Sequence, residues 1–313
     1  MTRVGFLLFD GFSNMVLSCL LEPLRAVRDQ TGHDISWQVL TPDERPVRSS
    51  SGLQIAPDGP AATGYDMLIL VAGYGYADHA RHARHVRRLA RAAAIVVGAD
   101  TGAWIIAAAG LLSGQRATLH WSLLADFAEA FPEVQVAPDK HVTQGRIWSC
   151  GSASAALDLM LVFIGERFGQ ANAFLAANMF LHDASLTPDQ PRARLPGSGS
   201  ARLRQIVALM SSQIEAAPPL ERIAAEAGVS LGKLDRMFRF EVGMAPGRYF
   251  QMLRLARARD MAASTDLNLR EIALRCGYSG APALSKAHRQ AFGQPLRQAG
   301  KSRSISLAQP LNP

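Results

Sequence analysis

The chain has 313 residues, 48% of them hydrophobic, with 33 Lys and Arg against 26 Asp and Glu. That length suits about two domains with buried cores; no apolar run reaches the ~20 residues that cross a bilayer, so no membrane partner is expected. Charge is uneven: residues 187–313 carry 19 basic and 9 acidic side chains, net +10, while the first 186 carry the remaining 14 and 17, net −3.

A basic back half points to a polyanion partner, most often nucleic acid, with a merely solubilising surface as the alternative. Cys19, Cys150 and Cys276 are odd in number and far apart, so they give neither a disulfide framework nor a metal spacing. The opening "MTRVGFLLFDGFSN" lacks a small-residue cleavage site and reads as a first strand, which favours the cytoplasm.

In chain order, "RVGFLLF" (3–9), "SWQVLT" (36–41), "DMLILVAG" (66–73) and "AAIVVGA" (93–99) are short β-rich runs. Helical stretches lie at about 13–30, 79–92, 102–110, 123–131 and 152–169. Alternating βα units predict a doubly wound α/β domain with a parallel sheet. Ligands of such sheets bind beyond the carboxyl ends of the strands. Asp10 and Gly11, Gly73 to Gly75, and Asp100 all fall at such ends.

"GADTGAWIIAAAGLL" (98–112) turns from strand to helix at Asp100, a corner where α/β enzymes often mount a nucleophile. The alternative is a helix cap, by Asp100 or by Thr101. "DHARHARHVRR" spaces His79, His82 and His85 by three, but its interleaved arginines repel cations. We read it as a solvated helix face and expect no metal site and no cofactor.

Residues 187–200, rich in Pro and Gly, read as a linker between a domain over 1–186 and a helical one over 201–300, with a tail over 301–313. "ERIAAEAGVS" (221–230) recurs as "REIALRCGYS" (270–279), 49 positions on. Each copy is a helix, a Gly turn, a Ser able to cap the next helix (Ser230, Ser279), and a basic amphipathic helix. The predicted recognition helices are 231–242, with Lys233, Arg236 and Arg239, and 281–292, with Lys286, His288, Arg289 and Gln290. Arg and Lys suit guanine edges and phosphates, and Gln suits adenine. Any one of these residues can instead touch only phosphate. Residues 246–264 are predicted as a helix bracing the two units.

The anchors "IAAEAGVS", "LDRMFR", "RLARAR" and "IALRCGYS" resemble the AraC/XylS double helix-turn-helix over 220–295. Leu284, His288 and "GQP" (293–295) depart from that family's pattern, which makes the first unit the more orthodox reader. The resemblance implies operator DNA as partner, a homodimer, contact with RNA polymerase and activation of a catabolic operon.

"VGFLLFDGFSN", "LEPLRAV", "SSSGLQIAPD" and "GADTGAWIIAAAGLLSGQRATLHW" resemble the ThiJ/PfpI, class I glutamine-amidotransferase-like superfamily. They look most like its members fused to AraC-type regulators, among them sensors of arginine, carnitine and glycine betaine. That implies a flavodoxin-like, amidotransferase-like fold and a small-molecule effector. The enzymatic branch carries a Cys where this chain has Asp100, so a catalytically inactive sensor is expected; a carboxylate is a far weaker nucleophile than a thiolate. The resemblance places Glu22 and the pair His120 and Trp121 at the rim with Asp100. Glu22 can instead pair with Arg25 at the surface. Acidic groups and aromatic faces suit a cation, with Tyr74 and Trp121 as walls, and Trp104 a third unless it packs in the core. Backbone N–H groups at Gly73 to Gly75 and Gly102, or Arg116, would hold a carboxylate. An amidase-like hydrolase and a ligand-free dimerisation platform are the competing readings.

Overall fold

The computed structural model describes residues 1–181, 201–293 and 296. The predicted linker (187–200) and tail (301–313) lie outside them. The chain divides into two compact units, Met1–Phe180 and Leu181–Pro313.

The first unit runs β1 (Thr2–Leu8), α1 (Asn14–Thr31), β2 (Ile35–Leu40), β3 (Val47–Arg48), β4 (Gln54–Ile55), β5 (Met67–Ala72), α2 (Tyr76–His79), α3 (Ala83–Arg91), β6 (Ile95–Asp100) and α4 (Gly102–Ala108). It continues through β7 (Arg116–Ala117), α5 (Leu124–Ala130), β8 (Gln135–Val136), β9 (His141–Val142), β10 (Ile147–Cys150), α6 (Ala153–Phe168) and α7 (Gln170–Leu181). The main sheet has the order β2-β1-β5-β6-β10-β9. Its strands are parallel except β9, which pairs antiparallel with β10.

Successive strand residues face opposite sides of the sheet. Phe6, Leu8, Ile69 and Val71 pack with Leu20 and Leu24 of α1 and Met160 and Ile164 of α6. Leu7, Leu68, Leu70 and Val96 pack with Val86 of α3, Ile105 of α4 and Phe127 of α5. Burial on both faces explains why these strands read as unbroken apolar runs.

The predicted helix 79–92 departs from expectation. It breaks into α2, a 3-10 turn at Ala80–His82, and α3. His79 is buried, not solvated. Its Nε2 donates to the Asp10 carbonyl at 2.8 Å, and its ring packs on Phe9 at 5.2 Å.

The second unit contains α8 (Ala201–Ser212), α9 (Leu220–Glu226), α10 (Leu231–Glu241), α11 (Pro246–Ser264), α12 (Leu269–Arg275) and α13 (Ala281–Phe292). The repeat is visible in its core. Ile223 and Ala224 are buried, as are Ile272 and Ala273. Gly228 and Gly277 hold the two turns with φ of 62° and 71°, a backbone that costs other residues about 1–2 kcal/mol.

Candidate functional site

Strand β6 ends in a sharp turn into α4. Asp100 stands in that turn with a left-handed φ of 60°. A Cβ at Gly98 would come within 2.6 Å of the Ala103 nitrogen, so the turn is tight enough to need glycine there. This is the strained strand-to-helix corner on which hydrolases raise a nucleophile.

Neither proposed cap exists. The N-cap of α4 is Thr101, whose side chain accepts no cap hydrogen bond. The Thr101 hydroxyl donates instead to the Gly73 carbonyl at 3.0 Å. Asp100 lies one residue too early to cap.

The Asp100 carboxylate has no hydrogen-bond or ion-pair partner among the described residues. Burial pushes it up to about 6, and the nearby His120 imidazole pulls the other way. The backbone N–H of His120 donates to the Asp100 carbonyl at 3.0 Å. His120 Nδ1 meets Ser122 Oγ at 2.8 Å, and its ring lies 5.7 Å from that of Trp121. Trp121 and Tyr74 are 75% and 81% exposed. Cys150, behind the turn, is held as a neutral thiol by burial, which pushes it up to about 12.

The loops after β1 and β5 meet at the same edge. A Cβ on Gly73 would lie 2.2 Å from the Gly11 carbonyl oxygen, so only glycine permits this approach. The β3–β4 hairpin closes over the first loop. Its Arg48 N–H donates to Asp10 Oδ1 at 2.8 Å, and Ser50 N–H donates to the Phe12 carbonyl. Asn14 Nδ2 bonds Ser49 Oγ at 2.9 Å and also Ser51 Oγ. Asn14, Ser49 and Ser51 lie in segments that carry the superfamily resemblance, but they were not among the expected site residues, because two-residue strands give no alternation that would place the hairpin at the rim.

Thus Gly73, Tyr74, Asp100, Thr101, His120 and Trp121 gather at the carboxyl ends of the strands. Glu22 does not join them. It lies eight residues into α1, about 12 Å along the axis, and its Oε2 accepts from Arg25 Nε at 2.6 Å. Arg116 is engaged by Asp139 at 2.6 Å. Trp104 packs with Tyr76, Phe127 and Phe131, so it is no cage wall.

In the second unit, α10 buries Leu234 and Phe238 and exposes Lys233, Arg236 and Arg239. Ser230 Oγ caps it, accepting from Lys233 N–H at 3.2 Å. Two unpredicted residues share its surface. Asp235 Oδ2 accepts from Arg239 Nε at 2.8 Å, and Phe240 is 91% exposed.

Helix α13 exposes Lys286, Arg289 and Gln290. His288 is a correction: it is buried with its ring 4.7 Å from Phe292, and does not face a DNA groove. It occupies the place of Phe238, 50 positions earlier. Ser279 is a second correction. The N-cap is Gly280, and no side chain caps α13. One residue has entered after Ser279, which shifts the repeat offset from 49 to 50 and moves the hydroxyl off the helix end.

Two family models match: DJ-1/PfpI over residues 2–166 and a helix-turn-helix domain over 223–302. The HTH-type transcriptional regulator GbdR of Pseudomonas aeruginosa is 32% identical over 307 residues, covering 94% of this chain and 83% of that protein. The HTH-type transcriptional regulator CdhR of the same species is 33% identical over 300 residues, covering 92% and 88%. A crystal structure of a ThiJ/PfpI family protein from Pseudomonas syringae matches with a TM-score of 0.52 at 22% identity, over 72% of this chain and 90% of that one, a likeness of fold alone. The chain therefore belongs to the HTH-type transcriptional regulators that join an N-terminal DJ-1/PfpI domain to a C-terminal AraC-type helix-turn-helix domain.

Proposed function

We propose that this protein is an effector-controlled transcription factor whose DJ-1/PfpI domain binds a small cationic or zwitterionic nitrogenous metabolite without turning it over. The observation that carries this reading is Asp100: a half-buried, unpartnered carboxylate held on a nucleophile mount, with aromatic faces beside it. A cation is the complement such a group lacks. The relatives named as transcriptional regulators, which span more than 90% of the chain, support the DNA-binding half.

The helix-turn-helix units would enter successive major grooves about 34 Å apart. Effector binding would shift the arrangement of a homodimer and so change how its DNA modules meet paired half-sites. Activation through contact with RNA polymerase is the direction we assign. The cytoplasm is the compartment this function requires.

A thermal-shift screen of amino acids, glycine betaine, carnitine and polyamines tests the sensor. A ligand of the folded state raises the melting temperature by mass action. Stabilisation by one of these compounds without its chemical conversion supports the reading. Turnover that is lost in Asp100→Ala would replace it with an amidase-like enzyme. A dimer stabilised by none of them would replace it with a dimerisation platform.

A further inference from the structure

Each helix-turn-helix is preceded by a helix that sends one arginine into its turn. From α8, Arg202 Nη2 donates to the carbonyls of Ala227 and Gly228, at 3.3 Å for the latter. From α11, Arg254 Nε donates to the Cys276 carbonyl at 2.8 Å, and its Nη2 to the Gly277 carbonyl at 2.5 Å. Ala227 and Cys276 are 49 positions apart, as are Gly228 and Gly277. The two arginines therefore grasp equivalent atoms of the two copies.

The physical sense is the same in both. The last carbonyls of a helix have no partner within it, and they form the negative end of its dipole. The planar guanidinium satisfies two of them at once, through Nε and Nη2 in Arg254 and through Nη2 alone in Arg202, and brings a positive charge to that end. The bonded carbonyls belong to the turn whose glycine sets the direction of the next helix. The arginines differ in setting. Arg254 is half-buried, with its guanidinium 4.2 Å from the Tyr278 ring centre. Arg202 is exposed, one residue after the start of α8.

We propose that Arg202 and Arg254 are a matched pair of positioning residues, each fixing the turn of its own unit and thereby aiming α10 or α13 at DNA. The proposal rests on the DNA-binding reading above. Base readout needs a recognition helix in fixed orientation, whereas phosphate attraction does not. A lost clamp therefore lowers specific binding and leaves non-specific binding intact. Lysine cannot replace either guanidinium, because its ammonium is a point charge with rotatable donors and not a planar set fixed toward two carbonyls.

The test uses the full chain and its R202A, R202K, R254A and R254K variants. Anisotropy titrations compare the duplex upstream of its own gene with a scrambled duplex at several salt concentrations, and footprints locate the loss. We expect Ala and Lys variants alike to bind the upstream duplex about tenfold more weakly. Binding to scrambled DNA should stay within twofold and the salt slope should not change. Arg202 variants should lose protection at one half of the footprint, and Arg254 variants at the other. Restoration by Lys together with a salt slope reduced by about one in the Ala variants would make these residues phosphate contacts and overturn the proposal. Wild-type affinity in every variant, or equal loss on both duplexes, would overturn it too. If R254A lacks a cooperative melt, exposed Arg202 decides the matter. Failure of the wild type to prefer its upstream duplex would instead refute the DNA-binding reading itself.

Discussion

Thr101 Oγ1 donates to the Gly73 carbonyl at 3.0 Å, and this one bond ties the turn bearing Asp100 to the loop bearing Tyr74. The bond also leaves Thr101 with no role as a cap. Both loops are thereby fixed around a carboxylate that has no hydrogen-bond partner among the described residues. A corner of the kind that presents a nucleophile in hydrolases carries a carboxylate here.

Asp100→Asn should stabilise the protein at alkaline pH. The folded carboxyl is raised from 3.8 to about 6, so folding favours its protonated form. The charged form costs nothing below about pH 4, costs progressively more up to about pH 6, and carries the full penalty above that. The penalty is on the order of 2–3 kcal/mol. Asparagine tolerates the left-handed backbone and has no charge to desolvate. Thermal melts should place the variant roughly 5 °C above wild type at pH 8 and level with it at pH 4. A variant no more stable at pH 8 would show that the charge is not desolvated.

Effector affinity should fall with acidity. Asp100 is ionised above about pH 6 and neutral below it, and a cation gains nothing from the neutral acid. Calorimetric titration of an active compound from the panel should show at least tenfold weaker binding at pH 5 than at pH 8. In Asp100→Asn most of that dependence should vanish. Equal affinity at both pH values would remove Asp100 from the site.

Two glycines of the second unit allow a contrast: Gly277, in the turn after α12, and Gly243, just after α10. At Gly277, a Cβ would lie 2.6 Å from both the Ala217 Cβ and the Ile214 carbonyl oxygen, on a φ of +71°. At Gly243, with φ of +76°, no atom lies within 4 Å. Gly243→Ala should therefore cost only the backbone term, about 1–2 kcal/mol, and Gly277→Ala several kcal/mol with loss of operator binding. Urea unfolding measures both. Equal destabilisation would mean that α12 shifts away at little cost.

His288→Ala should act on stability and Arg289→Ala on DNA. Truncating a buried ring costs about 2–3 kcal/mol. Arg289, exposed on α13, should instead lower operator affinity, with the salt slope reduced by about one if it meets a phosphate. Melting curves and salt-dependent titrations separate the two. A His288→Ala protein with wild-type stability and altered base preference would restore His288 to the reading face.

What the sequence revealed followed period and composition. The corner at Asp100 was legible because a β-branched run meets small helix formers there. The two recognition helices were legible from their repeat and glycines, and the first also from its cap at Ser230. Glu22 was misplaced because membership of α1 says nothing of height along its axis. His288 was readable in principle: Leu284, His288 and Phe292 form one stripe at intervals of four, the buried stripe of α13. Residue type, a histidine on a basic helix, outweighed that period. The hairpin over the rim was invisible because two-residue strands show no alternation. The arginine clamps were invisible because they join residues 22 to 26 positions apart.

The most direct test of the central claim is an effector-linked DNA titration. Wild type and Asp100→Asn are titrated onto the upstream duplex with and without the compound that raises the melting temperature of wild type. The account predicts that the compound changes wild-type DNA affinity at least fivefold and that Asp100→Asn, equally folded, binds the duplex but ignores the compound. An unchanged response in Asp100→Asn would contradict it.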